Sequence, residues 1–332
     1  MRLLDCTLRD GGNVLGNGFA KDLTLLMLEG LINNGITLIE YGNAYGIGAY
    51  EADGKNAPLN DLEYLKLAKP FLNKGEIGMF VGVKNAVEKN IALAAEHGMK
   101  FLRIGENAGD GKNAKDCISL IRKHKMMPRY SLMKAYIISK EKLSDECKKL
   151  EDWGIKAVTI MDSAGTMMPK EVSAYTEALV KALKIPVGFH GHNNLGLSLA
   201  NSIAAGESGA SELDSGLLGM ARSAGNLPTE MAVAAFQRCG KLKKINMLGL
   251  MEFLDKKLIP AMAKHNYRTA VCPEDIILGV SGCHSNFQDL FREIAKKEKV
   301  NLYELIMKVS KKNRKNPTRE EIEKAAKELA KG

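Results

Sequence analysis

Two histidines one residue apart, His190-Gly191-His192, are the groups in this chain whose type and spacing best suit chemistry. On a strand, positions i and i+2 project to the same face, and a glycine between them lets backbone and ligand approach closely. Two imidazoles and one carboxylate make a facial set with open positions for a divalent metal and a chelating ligand. Asp10 is the best third ligand, provided that its own segment reaches the same place. Two nitrogens and an oxygen without thiolate suit Mn²⁺ or Mg²⁺ with waters, and Zn²⁺ and Co²⁺ stay open. The plainer alternative is a pair of hydrogen-bonded structural histidines at a strand end. The chain has only six histidines, so two this close favour the metal. Beside Asp10, Arg9 could polarise a carbonyl or hold an enolate oxygen, rather than form a surface ion pair. Neighbours on a regular strand face opposite ways, so Arg9 and Asp10 converge only if the chain has left the strand. Gly11-Gly12 is expected to provide that turn.

Bringing residues 10 and 190 together is a task for the fold. Short β-like runs occur at Leu3–Cys6, Thr37–Tyr41, Gly78–Val83, Phe101–Ile104, Tyr130–Ile137, Ala157–Met161, Pro186–Phe189 and Ser211–Asp214. Amphipathic helical stretches lie between them, several closed by a glycine, as at Gly35, Gly98 and Gly154. Strands alternating with helices mean a parallel sheet, and eight such units match a (β/α)₈ TIM barrel. A doubly wound sheet would show a glycine fingerprint after its first strand, and Arg9-Asp10-Gly11-Gly12 lacks that spacing. Residues 1–240 are read as the barrel and 241–332 as a helical C-terminal domain packed on it. In a barrel, chemistry sits at the carboxyl ends of strands. This rule singles out Glu40, Arg103, Ser163 and the stretch 216–226 alongside Asp10 and the histidine pair.

Composition narrows the function classes. The 332 residues carry a net charge of +9, which invites a nucleic-acid reading. Twelve basic and six acidic residues of the last 37 hold most of that excess, interleaved as on solvated helix faces with i,i+4 pairs. No aromatic platform accompanies them, so nucleic acid is not the expected partner. The six cysteines show no C-x-x-C pair and read as reduced thiols. No apolar run approaches the roughly 18 to 20 residues of a membrane span, and no signal peptide is evident. A soluble, cytoplasmic protein is expected.

The motifs together carry a resemblance. Asp5-Cys6-Thr7-Leu8-Arg9-Asp10-Gly11, Ile39-Glu40, Asp162-Ser163-Ala164-Gly165, His190-Gly191-His192-Asn193-Asn194 and Ala224-Gly225-Asn226-Leu227-Pro228 resemble the pyruvate-aldolase and acyl-CoA-lyase barrel superfamily, which includes 3-hydroxy-3-methylglutaryl-CoA lyase (HMGL-like proteins). The stretch from Ile277 to Phe287 and the basic helices after it are similar to the extension of 4-hydroxy-2-oxovalerate aldolases. The resemblance implies metal ligation by Asp10, His190 and His192, with Asn226 as a further ligand. It also implies an enolate-stabilising Arg9 and a substrate-contacting Ser163, to which strand-end position adds Glu40 and Arg103.

Two departures stand out. That family carries a His three residues after the metal Asp, where this chain has Asn13, and a Tyr where it has His284. An imidazole suits acid–base work near neutral pH, so His284 is expected to take over proton transfer while Asn13 orients the substrate hydroxyl. The 216–222 loop lacks the catalytic Cys of the lyase branch, which argues against HMG-CoA lyase activity. The expected activity is that of a lyase: metal-dependent cleavage of a 4-hydroxy-2-oxo acid to pyruvate and an aldehyde, or the reverse aldol addition. One alternative is a Claisen-type transfer from acetyl-CoA to a 2-oxo acid. Another is an altered barrel acting as partner of an acylating aldehyde dehydrogenase, in keeping with the homo- or hetero-oligomers the resemblance implies.

Overall fold

The computed structural model describes residues 1–52, 54–267 and 273–331. Eight strands follow one another in chain order: β1 (Arg2–Asp5), β2 (Leu38–Tyr41), β3 (Glu76–Gly82), β4 (Phe101–Asn107), β5 (Met127–Met133), β6 (Val158–Asp162), β7 (Val187–Gly191) and β8 (Glu212–Ser215). Each pairs in parallel with the next, and β1 pairs with β8 from Arg2 opposite Glu212 to Asp5 opposite Ser215, closing the barrel. The eight-unit reading of the sequence is therefore correct. The run expected to reach Ile137 stops at Met133, because Lys134 adopts a left-handed conformation (φ 55°) that no strand tolerates. The helix Lys140–Trp153 shows how sequence fixes these boundaries. Ser139 accepts a hydrogen bond from Lys142 N at its start, and Gly154 at φ 103° ends it.

The chain leaves β1 at Asp5 and enters a 3₁₀ turn at Asp10–Leu15, which lets Arg9 and Asp10 face the same way. Gly11 and Gly12 lie inside this turn, as expected, at negative φ, and the left-handed conformation comes at Gly16 (φ 82°). They are needed for close approach instead. A Cβ on Gly12 would lie 2.8 Å from Gly18 Cα, and one on Gly11 would lie 3.2 Å from the Met220 carbonyl oxygen.

The helices after residue 240 divide into two groups. Leu250, Phe253, Leu254, Leu258 and Met262 belong to the barrel's own apolar core. The helices Pro273–Ser281, Gln288–Glu298, Leu302–Lys312 and Arg319–Leu329 enclose a separate small core around Leu278, Phe291, Ile294, Leu305, Ile306 and Ile322. Their charges pair mainly between helices (Arg319–Glu293 2.8 Å, Lys308–Glu328 3.0 Å) rather than at i,i+4. No helix among the described residues is long and apolar enough to cross a membrane. Five of the six cysteines are free thiols, and Cys272 lies outside the described residues.

Candidate active site

A cavity of about 490 Å³ opens at the carboxyl end of the barrel. Arg9, Asp10, Ser163, His190, His192 and His284 line it, so one wall carries six of the residues singled out from the sequence. One ligand atom each from Asp10, His190 and His192 lie within 4.8 Å of one another, all three residues being buried. His190 Nε2 is 3.7 Å and His192 Nε2 3.9 Å from Asp10 Oδ2.

These donors fit a divalent cation. His190 Nδ1 lies 3.0 Å from the Asp214 carboxylate, so its proton sits there and Nε2 turns its lone pair toward Asp10. Burial pushes His192 down to about 3, which keeps the ring neutral and able to ligate. Burial alone would raise Asp10, but the Arg9 guanidinium 3.0 Å away and the two histidines hold it well below the usual carboxylate range. Asn226 donates through Nδ2 to Asp10 Oδ2 at 2.8 Å, while its own Oδ1 is buried without a partner among the described residues. A β-bridge between His192 and Asn226 fixes that neighbour in place. A second cluster, Cys6–His190–Asp214, is no metal site, because Arg103 fills its centre and donates to both Cys6 Sγ (3.3 Å) and Asp214 (2.6 Å).

Two expectations about substrate contact are corrected. Glu40 and Arg103 have no exposed surface and do not line the cavity. With Thr159 and Asp214 they form one layer inside the barrel, drawn from the even-numbered strands, as barrel packing layers are. Arg103 joins them, at 2.5 Å to Glu40 Oε2, 2.6 Å to Asp214 Oδ2 and 3.4 Å to Thr159 Oγ1. Glu40 also accepts from Arg9 Nε. The layer is a buried charge network that aims Arg9 upward through Glu40 and His190 through Asp214.

The expected roles of Asn13 and His284 also change. Asn13 sits behind Asp10, donating to its carbonyl (2.8 Å) and carboxylate (3.2 Å) and accepting from Arg222 (3.1 Å), so it does not orient a substrate hydroxyl. His284 Nδ1 accepts the backbone N–H of Asn286 at 3.1 Å. A backbone N–H can only donate, so the neutral ring carries its proton on Nε2 and serves as a donor rather than a ready base. Burial and the cationic neighbours Arg222 and Lys134 push its pKa well below 6.5.

Sequence reasoning missed three functional groups, Asp214, Tyr45 and Lys134, and did not distinguish Arg222 within the stretch 216–226. Asp214 orients His190 but reads as an ordinary strand residue. Arg222 and Tyr45 reach the cavity from loops, where no spacing rule applies. Lys134 lines the cavity and donates to Lys315 O (2.5 Å) and Asn316 Oδ1 (3.0 Å), fastening the C-terminal helices to the barrel. Burial and the nearby Lys315 push its ammonium down to about 8. In the loop 105–111 the Glu146 carboxylate accepts the N–H groups of Gly109 and Gly111, at 2.7 Å each.

Residues 1–256 match the family model described as HMGL-like. The chain is 30% identical over 302 residues to a 4-hydroxy-2-oxovalerate aldolase of Moorella thermoacetica, covering 91% of this chain and 88% of that one. It is 29% identical over 311 residues to the 4-hydroxy-2-oxovalerate aldolase of Carboxydothermus hydrogenoformans, covering 94% and 92%. Among solved structures, the carboxyl transferase domain of Rhizobium etli pyruvate carboxylase superposes with a TM-score of 0.78 at 13% identity, covering 100% of this chain and 61% of that one. That last likeness speaks for the fold alone.

Proposed function

The chain belongs to the HMGL-like family, and from that premise we propose that it is a divalent-metal-dependent aldolase, a lyase that splits a 4-hydroxy-2-oxo acid into pyruvate and an aldehyde or joins them in reverse. The observation that carries this reading is Arg9 Nη2. The guanidinium gives Nε to Glu40 and Nη1 to Asp10, while Nη2 is buried without a partner among the described residues, in a group lining the cavity beside the metal ligands. A donor held dry and unspent there is what an enolate oxygen requires.

Asp10, His190 and His192, with Asn226 Oδ1 as a further donor, would hold Mn²⁺ or Mg²⁺, which would supply Lewis acidity to the 2-oxo group. Arg9 donates to the same oxygen, and this hydrogen bond strengthens as the C3–C4 bond breaks and negative charge builds there. Ser163 faces the carboxylate end of the substrate, its Oγ oriented by the Lys134 N–H at 2.9 Å. His284 donates from Nε2 to the oxygen on C4. During addition it polarises the aldehyde carbonyl; during cleavage it stabilises the oxygen on C4 as its proton passes to water at the open mouth. Protonation of the enolate at C3 then gives pyruvate. The free thiols fit a reducing compartment, the cytoplasm. An acylating aldehyde dehydrogenase that removes the aldehyde is the partner this chemistry suits.

The test is pyruvate release from a panel of 4-hydroxy-2-oxo acids with Mn²⁺, followed by coupled NADH oxidation. Asp10→Asn is expected to lower kcat/KM by about 10³-fold or more, since it removes both a ligand's charge and one of Arg9's two carboxylate partners. Tight metal binding without pyruvate from any substrate would overturn the reading and turn attention to acetyl-CoA consumption.

A further inference from the structure

The rim of the cavity holds a feature that cleavage of the C3–C4 bond does not use. Lys55 Nζ lies 4.7 Å and the Arg222 guanidinium carbon 4.9 Å from the centroid of one ring, Tyr45. All three side chains line the cavity that holds Asp10, His190 and His192. Two cations drawn to one aromatic ring repel each other, and the quadrupole of the ring offsets this only in part. No ion pair among the described residues joins either cation to a carboxylate, although Arg222 adds to the field that keeps Asp10 ionised. Among the described residues, the only carboxylate lining the cavity is Asp10, which is already paired with Arg9 at 3.0 Å. Arg222 donates to two neutral amide oxygens, those of Asn13 and Asn286. Those bonds fix the direction of the guanidinium and leave its charge in place. Lys55 comes from the segment after β2 and Arg222 from the loop after β8, so different parts of the chain bring the two charges to one ring on the cavity wall.

Position along the substrate follows from the rest of the site. Arg9 and the metal ligands take the 2-oxo acid end. His284 and Asn286, the latter bonded to Arg222, take the C4 end. The cations at Tyr45 therefore face whatever C4 carries beyond its oxygen. Resting on the aldolase reading above, we propose that Lys55 and Arg222 recognise an anionic group, a carboxylate or a phosphate, on the aldehyde half of the substrate. The preferred aldehydes are then semialdehydes or phosphorylated hydroxyaldehydes rather than short alkanals. Such an anion meets charge-assisted donors from Lys55 and Arg222 beside the Tyr45 ring.

The experiment uses the full chain loaded with Mg²⁺. Exchange of pyruvate methyl protons in D₂O, read by mass spectrometry, reports enolisation without any aldehyde. Aldol addition of pyruvate is then measured for two matched pairs, butanal against succinic semialdehyde and glycolaldehyde against glycolaldehyde phosphate. The anionic member of at least one pair is expected to exceed the neutral member in kcat/KM by about tenfold or more, and the favoured pair tells carboxylate from phosphate. In Lys55→Glu that ratio should fall by about tenfold or more, with Lys55→Gln between the two. Because Lys55 is half-exposed, both variants are expected to fold, which thermal unfolding checks. Exchange that proceeds while neutral aldehydes react as well as anionic ones overturns the proposal, as does a ratio that Lys55→Glu leaves unmoved. Absence of exchange removes the aldolase reading itself, and the proposal with it.

Discussion

The floor and the rim of the cavity are built on different principles. On the floor, Arg9 and His190 lean on Glu40 and Asp214 in the barrel, Arg103 links those two carboxylates below them, and Asp10 pairs with Arg9. Every group there is buried and held from at least two directions. On the rim, Asn13, Arg222, Asn286 and Tyr45 come from loops and from the C-terminal helices, partly exposed and joined by single hydrogen bonds or ring contacts. The floor can hold a reaction type constant while the rim is free to change what that reaction acts on. Asn13 and His284, the two departures from the aldolase pattern, both belong to the rim.

The largest effect should come from breaking the floor. Arg103→Met leaves Glu40 and Asp214 buried with one cation fewer, and removing one member of a buried charge network costs about 3–5 kcal/mol. Its pH dependence reveals the cause. In the native protein Arg103 holds Glu40 and Asp214 below their usual range, against a burial effect that would raise them. Their contribution is therefore fully present above the unfolded carboxylate pKa of about 4 and is lost as pH falls through the lower folded values. Without Arg103, burial raises both, so the variant should lose stability as pH rises above about 4. Urea unfolding at pH 5 and 7.5 measures this, the deficit being larger at 7.5. The same substitution at Arg222, on the rim, should cost no more than about 1 kcal/mol. Equal costs at the two positions would erase the distinction between floor and rim.

His284 tests the rim's part in the reaction. Loss of one preorganised donor at the C4 oxygen should lower kcat by about 10²-fold in His284→Ala, with metal affinity unchanged. Its pKa lies well below 6.5, so the ring stays neutral from pH 6 to 8. The ratio of wild-type to variant kcat should therefore be flat over that range. A ratio that collapses toward one between pH 7 and 6 would show a base titrating near the ordinary histidine value and restore the proton-transfer role first expected of it.

The same division explains what could be read from the sequence. The barrel was legible because periodicity and glycine stops are local signals, and the metal ligands were legible because spacing on a strand dictates direction. Glu40 and Arg103 were misplaced because residue type does not report depth. Each is the third residue of its strand, whereas Gly105 and Asn107, which do line the cavity, come later in β4. Depth along the strand was the signal available, and it would have found Asp214 as well, third in β8. Nothing comparable existed for Tyr45, and the strand-end rule that singled out 216–226 did not distinguish Arg222 within it. Loops carry no period, and their convergence depends on how the whole barrel closes.

Asn13 gives the smallest effect and the finest test, because it joins the two regions. Its amide donates to Asp10 on the floor and accepts from Arg222 on the rim, leaving neither end free for substrate. Asp10 keeps Arg9 and Asn226 when Asn13 is lost, so Asn13→Ala should lower kcat/KM only about three- to tenfold, the worth of one or two ordinary hydrogen bonds. The loss should be coupled to Arg222. In a double-mutant cycle with Arg222→Met, the second substitution removes a partner already missing, so the combined effect should fall short of the sum by about 0.5–1.5 kcal/mol. Strict additivity would mean that Arg222 does not depend on Asn13. A loss in Asn13→Ala as large as that in His284→Ala would mean that Asn13 meets the substrate itself. The rim would then have to rearrange when substrate binds, because in the present geometry Arg222 and Asp10 already occupy both ends of that amide.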